Sequence, residues 1–266
     1  MTEFISTSPA RRLVTRMQAT HERRRISVFS GPPGIGKTTA IDEFSRRNGE
    51  GVAIVKVARR NAREVIVLQH TLEALRRLID SSFEHAPGSV FELRRHLFLT
   101  TCSWAGVDPA LARRGDFDSQ RFPRLTIVFD EAQNLSREAI ESLRYWNDRD
   151  RCYAPFPVGL VFVGNDEFSL AGASAAESVI SAAVADRALY LQSFEYDDVA
   201  DDDLKLFISS KGEFEDGAVA AIVRSFRGPR SPRSFRRLGD LLDDLIELAD
   251  GADITVADVR GRLALA

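Results

Sequence analysis

The chain has 266 residues, 44% of them hydrophobic and 28% charged, which is enough to bury a core without a metal or disulfide staple and excludes disorder over most of its length. Its formal net charge of −3 argues against a uniform nucleic-acid-binding coat. Cys102 and Cys152 stand about fifty residues apart with no CxxC spacing, so neither a disulfide framework nor a zinc site is expected, and a reducing compartment fits.

Residues 1–25 hold six arginines against Glu3 and Glu22 and lack the apolar run of a secretory signal, so they read as a basic N-terminal segment. Ile26–Ser30 (ISVFS) is a short β-prone run ending at Gly31, and a stretch with Ala40, Ile41 and Phe44 on one helical face follows it. Residues 52–57 (VAIVKV) are a second strand candidate, and the amphipathic segments at 63–79 and 90–101 read as helices. The run LTIVF at 125–129 is continuously apolar, as suits a strand covered on both faces. Ser136 caps the next helix, with Glu138 in a first turn where the helix dipole favours an acid. Residues 158–164 (VGLVFVG) form another buried strand and 188–192 a short fifth.

Strands alternating with helices at this spacing imply crossover connections and a parallel sheet. Beyond Glu195 the strand signal stops. Residues 201–209, 216–227, 233–249 and 255–263 look helical, the third with Phe235, Leu238, Leu241, Leu242, Leu245 and Leu248 on one stripe. The expected architecture is an α/β domain over 26–194 followed by a small all-helical domain over 195–266. No apolar run approaches the ~20 residues of a membrane helix, so a soluble cytoplasmic protein is expected.

Gly31, Pro32, Pro33, Gly34, Ile35, Gly36, Lys37 and Thr38 spell the phosphate-loop pattern GxxxxGK[ST] between a strand and a helix. Glycines let backbone N–H groups turn inward around phosphates, and the following helix directs its positive end at them. Lys37 is expected to reach the β- and γ-phosphates of ATP, the Thr38 hydroxyl to ligate Mg²⁺, and Thr39 to line the same site. Asp130 and Glu131 follow directly on LTIVF, at the sheet edge where ligands bind in doubly wound folds. Asp130 is assigned to the metal shell and Glu131 to the attacking water. Asn165 ends its strand as Asp130 does, and a neutral amide there suits a γ-phosphate sensor as well as it suits an ordinary turn.

GPPGIGKT, VFDEAQNLS and the strand ending FVGN together resemble the AAA+ ATPases, in the branch that includes the transposition ATPases MuB, TnsC and TniB and the secretion ATPase ExeA. Residues 232–238 (PRSFRRL) are similar to that branch's P-R-x-x-N-R-L box, and 253–259 (DITVADV) to its I-T-x-x-D-V tail, so the resemblance runs over roughly 11–260. It implies a phosphate-loop sheet domain with a helical lid. It also implies that Arg233 is a lid arginine sensing the γ-phosphate, although Arg236 stands where asparagine is usual and Arg230, in a partly duplicated box, could hold that role. Arg187 lies where such ATPases often keep an arginine finger for the neighbouring subunit's nucleotide; a surface arginine in a turn is the other reading.

By the same resemblance the chain is expected to form a homo-oligomer, a ring or filament, on double-stranded DNA and to hand that DNA to a transposase. Arg59, Arg60 and Arg63, just after the second strand, are the first candidates for phosphate contact. Arg113, Arg114, Arg121 and Arg124 are a second set, and Arg23, Arg24 and Arg25 a third. A regulatory ATP switch acting on a protein partner without DNA remains open. An ExeA-like secretion role is disfavoured, because the membrane-spanning and wall-binding portions expected of it are not found.

Overall fold

In the computed structural model, which describes residues 4–58, 62–79, 88–114, 122–148, 154–168, 180–227, 232–249 and 254–264, five strands pair in parallel in the order β2-β3-β4-β1-β5. They are β1 (Ile26–Ser30), β2 (Val52–Lys56), β3 (Thr126–Asp130), β4 (Gly159–Val163) and β5 (Ala188–Ser193). Each matches its predicted run to within a residue or two. The three inner strands are buried at every position, which is why LTIVF and VGLVFVG are apolar throughout. At the sheet margin β5 is mostly half-buried, and its sequence signal is correspondingly weak.

Helices α1 (Ser8–Arg23), α2 (Lys37–Asn48), α3 (Glu64–Leu78), α4 (Val90–Ala105), α5 (Pro109–Arg114), α6 (Arg137–Arg144) and α7 (Ala182–Arg187) accompany the sheet, and α8 (Asp201–Ser209), α9 (Asp216–Ser225), α10 (Phe235–Ala249) and α11 (Val256–Ala264) follow it. The Ser136 cap is present: its Oγ accepts from the Ala139 N–H at 3.2 Å. The basic N-terminal segment contains a helix that the sequence reading did not assign. In α1, Ala10, Leu13, Val14 and Met17 recur at helical spacing and are buried.

The chain divides into two compact units, one made of Val14–Ser30 and Ile41–Ser193, the other of Met1–Leu13, Gly31–Ala40 and Phe194–Ala266. In the first, the sheet core includes Phe129 and Phe162, adjacent on β3 and β4 with ring centres 5.2 Å apart, and fully buried Leu160, Leu68 and Trp146. In the second, α8 to α11 pack through Leu204, Ile208, Ile222, Leu238, Leu242, Leu245 and Val259. The expected stripe on α10 needs one correction, because Leu248 is 69% exposed. The buried spacing 235, 238, 242, 245 is continued by half-buried Ala249, so Leu248 rotates off the packed face in the last turn.

Candidate functional site

Lys56, Asp130, Val163, Phe29 and Gln192 are register partners in turn across the five strands. In a parallel sheet this row marks the carboxyl edge, so whatever follows each residue is presented on one side. Asp130 ends β3 there at 7% exposure, and its Oδ1 accepts from the Glu131 N–H at 3.0 Å. Glu131 then turns with φ 58°, a left-handed conformation costing a non-glycine residue about 1 kcal/mol. Asn165 stands two residues beyond the end of β4. One side chain links these last two: Gln133 Nε2 donates to Glu131 Oε2 at 2.5 Å, and Gln133 Oε1 accepts from the Asn165 N–H at 3.1 Å. The structure thus brings Asp130, Glu131 and Asn165 to one edge. Gln133 escaped the sequence reading, and its only signal there is its place in VFDEAQNLS.

The same segment anchors the chain after β2. Asp130 O accepts from the Val57 N–H at 3.0 Å, Asn134 Nδ2 donates to Val57 O at 2.7 Å, and Asn134 O accepts from the Ala62 N–H at 2.9 Å. Arg59 and Arg60 lie outside the described residues, whereas Arg63 is exposed immediately before α3.

The phosphate loop belongs to the second compact unit and is shaped by it. Gly34 has φ 81°, and a Cβ on it would come within 2.2 Å of Ser234 Oγ; Gly36 has φ 94°. Neither position admits another residue without strain. The loop carbonyls are turned outward and engaged: Pro33 O accepts from the Tyr196 hydroxyl at 3.0 Å and Gly34 O from the Phe235 N–H at 2.7 Å. Lys37 Nζ donates to Gly31 O at 2.6 Å and Pro32 O at 2.8 Å. Neutral carbonyls are weaker partners for an ammonium than phosphate oxygens, so an incoming anion would win the exchange. Thr38 and Thr39 are exposed on the first turn of α2. This cradle fits a polyphosphate. Among the described residues no group of three or more His, Cys, Asp or Glu is placed to hold a metal; magnesium bound beside a nucleotide ordinarily takes most of its ligands from phosphates and water.

Arg233 donates to Val199 O and pairs with Asp201 at 2.6 Å. Asp201 also pairs with Arg227, and that guanidinium first, with Arg233 behind it, holds the carboxyl below the usual carboxylate range. Arg230 lies outside the described residues. Arg236, next to the loop, is the nearer arginine by backbone: a Cβ on Gly34 would lie 3.2 Å from Arg236 Cβ.

At the amino edge of the sheet the chemistry reverses. Arg25 and Arg187 immediately precede β1 and β5, and Arg124 stands two residues before β3. With Arg23, Arg24 and Asp148 they line a groove of about 810 Å³. Arg187 Nε pairs with Asp148 at 3.1 Å and its Nη1 donates to Ala183 O at 3.0 Å. Arg24 has φ 50°, donates to Phe122 O at 2.6 Å and lies 5.7 Å from the Phe156 ring centre; burial, then Arg124, push its pKa down. Of the second arginine set, Arg124 joins this groove while Arg113 lies over the Phe98 ring, and Arg121 falls outside the described residues.

Residues 20–170, more than half of the chain, match the family model of the AAA domain. The chain belongs to the AAA domain family. With it comes membership of the P-loop ATPases, as the resemblance in GPPGIGKT and VFDEAQNLS implied. This AAA domain protein is also similar, at 25% identity over 167 residues, to the ATP-dependent target DNA activator B of Escherichia phage Mu, a match covering 61% of this chain and 42% of that protein. The match therefore takes in less than half of the relative's length.

Among solved structures, Cdc6p from Pyrobaculum aerophilum superposes with TM-score 0.57 and 16% identity, covering 91% of this chain and 61% of that one. The RuvB Holliday junction branch migration motor of Thermotoga maritima gives 0.54 and 17%, covering 98% and 70%. At such identities the likeness is one of fold, and it extends past the AAA family match into the C-terminal helices. No helix among the described residues is long and apolar enough to cross a membrane.

Proposed function

We propose that this AAA domain protein hydrolyses ATP with magnesium, assembles as a homo-oligomer on duplex DNA, and through its nucleotide state controls delivery of that DNA to a transposase. The observation that carries the nucleotide part is the shared carboxyl edge: β1 ends there and its chain runs directly into the glycine loop, while β3 and β4 end there in Asp130-Glu131 and Asn165. The similarity to a DNA activator of phage Mu supports the DNA part.

In the proposed mechanism the N–H groups of residues 34–38 and the Lys37 ammonium hold the β- and γ-phosphates. Thr38 and Asp130 would hold magnesium, which when bound neutralises phosphate charge. Glu131 accepts a proton from water as the water oxygen bonds to the γ-phosphorus and the bond from that phosphorus to the β-phosphate oxygen breaks, leaving ADP and phosphate. Asn165 donates to a γ-phosphate oxygen, and a lid arginine, Arg233 or Arg230, adds positive charge on the side of residues 195–266. Arg187 serves the site of a second copy. Arg63, with Arg59 and Arg60, contacts DNA phosphates, giving affinity without sequence reading.

Lys37→Ala should weaken ATP binding at least about 100-fold by calorimetry, since it removes the one charged group in the loop; unchanged affinity overturns the phosphate-loop assignment. Electron microscopy with duplex DNA should reveal rings or filaments only when a non-hydrolysable ATP analogue is also present. If ATP-loaded protein ignores duplex at low salt, the DNA part falls and a switch acting on a protein partner replaces it.

A further inference from the structure

Gln133 is neither acid nor base, yet it occupies the junction between Glu131 and Asn165, the two groups at the carboxyl edge to which hydrolysis is assigned. The amide has only one way to sit. Its Oε1 faces a backbone N–H, that of Asn165, which can only donate, so the other end of the amide must be the NH₂ group. That NH₂ group meets Glu131 Oε2 at 2.5 Å. The orientation is thus fixed by the β4 end and delivered to the carboxylate.

A donor on Oε2 occupies one carboxylate oxygen and directs the remaining capacity of Glu131, at Oε1, to a water. Glu131 also sits in a left-handed conformation, so its side chain is not held in place by the regular strand geometry and needs a lateral support. Gln133 belongs to the short turn at Ala132–Asn134, pinned on its far side by the Asn134 bonds to Val57 and Ala62, so the amide is fixed at both ends of its own segment.

We propose that Gln133 is a positioning residue that aims the Glu131 carboxylate and ties its aim to the place of Asn165, so that displacement of the β4 end on phosphate contact is transmitted to the base through one amide. The proposal rests on the hydrolytic role proposed for Glu131, and the experiment separates the two.

ATP hydrolysis by the full chain, with duplex DNA present, is measured for the wild type, Gln133→Leu, Gln133→Glu and Glu131→Gln, alongside binding of a fluorescent ATP analogue. Gln133→Leu should lower kcat at least tenfold with KM for ATP within twofold, because the carboxylate has lost the donor that aims it. Gln133→Glu keeps the size and the acceptor for the Asn165 N–H but places a second carboxylate against the first, which turns it away. It should be the slower variant. If Gln133 merely held the turn in shape, the isosteric Glu would preserve most of kcat. Unchanged kcat in both Gln133 variants, with Glu131→Gln inactive, overturns the positioning role alone. A raised KM at unchanged kcat also overturns it, in favour of binding. Near-normal turnover in Glu131→Gln overturns the role of Glu131 and with it the proposal.

Discussion

The two edges of the sheet differ in charge and in what they ask of a partner. The carboxyl edge carries Asp130, Glu131 and Asn165; the amino edge carries Arg23, Arg24, Arg25, Arg124 and Arg187. Each edge holds one non-glycine residue in a left-handed conformation, Glu131 at φ 58° and Arg24 at φ 50°, the only two such residues among those described. The strands between are five or six residues long, about 16 Å at the rise of a parallel strand, so Arg187 cannot serve the carboxylates of its own sheet. A parallel sheet is directional, and here that direction has become a charge axis hidden by the small net charge of −3. The oligomer proposed above would, if copies stack head to tail, set this arginine edge against the acidic edge of the next copy, a heterologous contact of the kind that propagates into rings or filaments.

The strongest way to break this comparison is complementation. On the proposed function, Glu131→Gln and Arg187→Ala should each lower ATP turnover by about 100-fold, the first by removing the proposed base and the second by removing the cation proposed for a second copy's site. Since the two lesions lie on opposite edges, an equal mixture should regain about a quarter of wild-type activity, because one shared site in about four then has neither lesion. A mixture that stays as inactive as its parts would mean that both groups serve the same copy.

A smaller effect is expected from the groove itself. Arg23 and Arg124 are exposed, so Arg23→Glu with Arg124→Glu should leave the fold intact. The double variant should weaken ATP-dependent self-association about tenfold in sedimentation velocity, and the difference from wild type should shrink as salt rises past the Debye range. Self-association that ignores both the reversal and the salt would remove the amino edge from the contact.

Much of this geometry was legible in sequence, for identifiable reasons. LTIVF and VGLVFVG are apolar without alternation because both faces of β3 and β4 are covered, and the residues closing those runs necessarily fall at one edge. GPPGIGKT is legible because a loop with two positive-φ positions tolerates only glycine there. Gln133 was not legible, since an amide two residues past an acid has no periodic signature and gains meaning only from the neighbouring strand. Nor was the arginine groove: Arg24 and Arg124 are a hundred positions apart in the chain and meet only because β1 and β3 begin at the same edge. Leu248 misled for the opposite reason: it stands three residues past Leu245, but the packed face continues at 249 instead.

The amino edge also leaves a pH signature that the carboxyl edge does not share. His21, near the end of α1, is buried, with Nδ1 2.9 Å from Thr126 Oγ1 and its ring edge-on to Phe44 at 5.9 Å. Burial first, then Arg124, with a smaller push from Arg24 and an opposing pull from Glu22, lowers its pKa from 6.5 to about 4. Between those values the unfolded chain holds a proton that the folded chain refuses, so stability must fall as pH drops from 6.5 toward 4. With allowance for solvent screening of a partly solvated ring, the loss is about 1–2 kcal/mol. The lowered carboxylates, such as Glu43 at about 2 beside Arg46 and Arg47, lose their contribution only below the ordinary carboxylate value of 4.5. Between pH 6.5 and 5 this histidine therefore contributes a slope that the lowered carboxylates do not. Urea midpoints should decline over that window in the wild type and stay level in His21→Gln, whose amide can still meet Thr126. Arg124→Glu should raise the His21 pKa and narrow the window; a slope unaltered by either substitution would detach this histidine from the arginine edge above it.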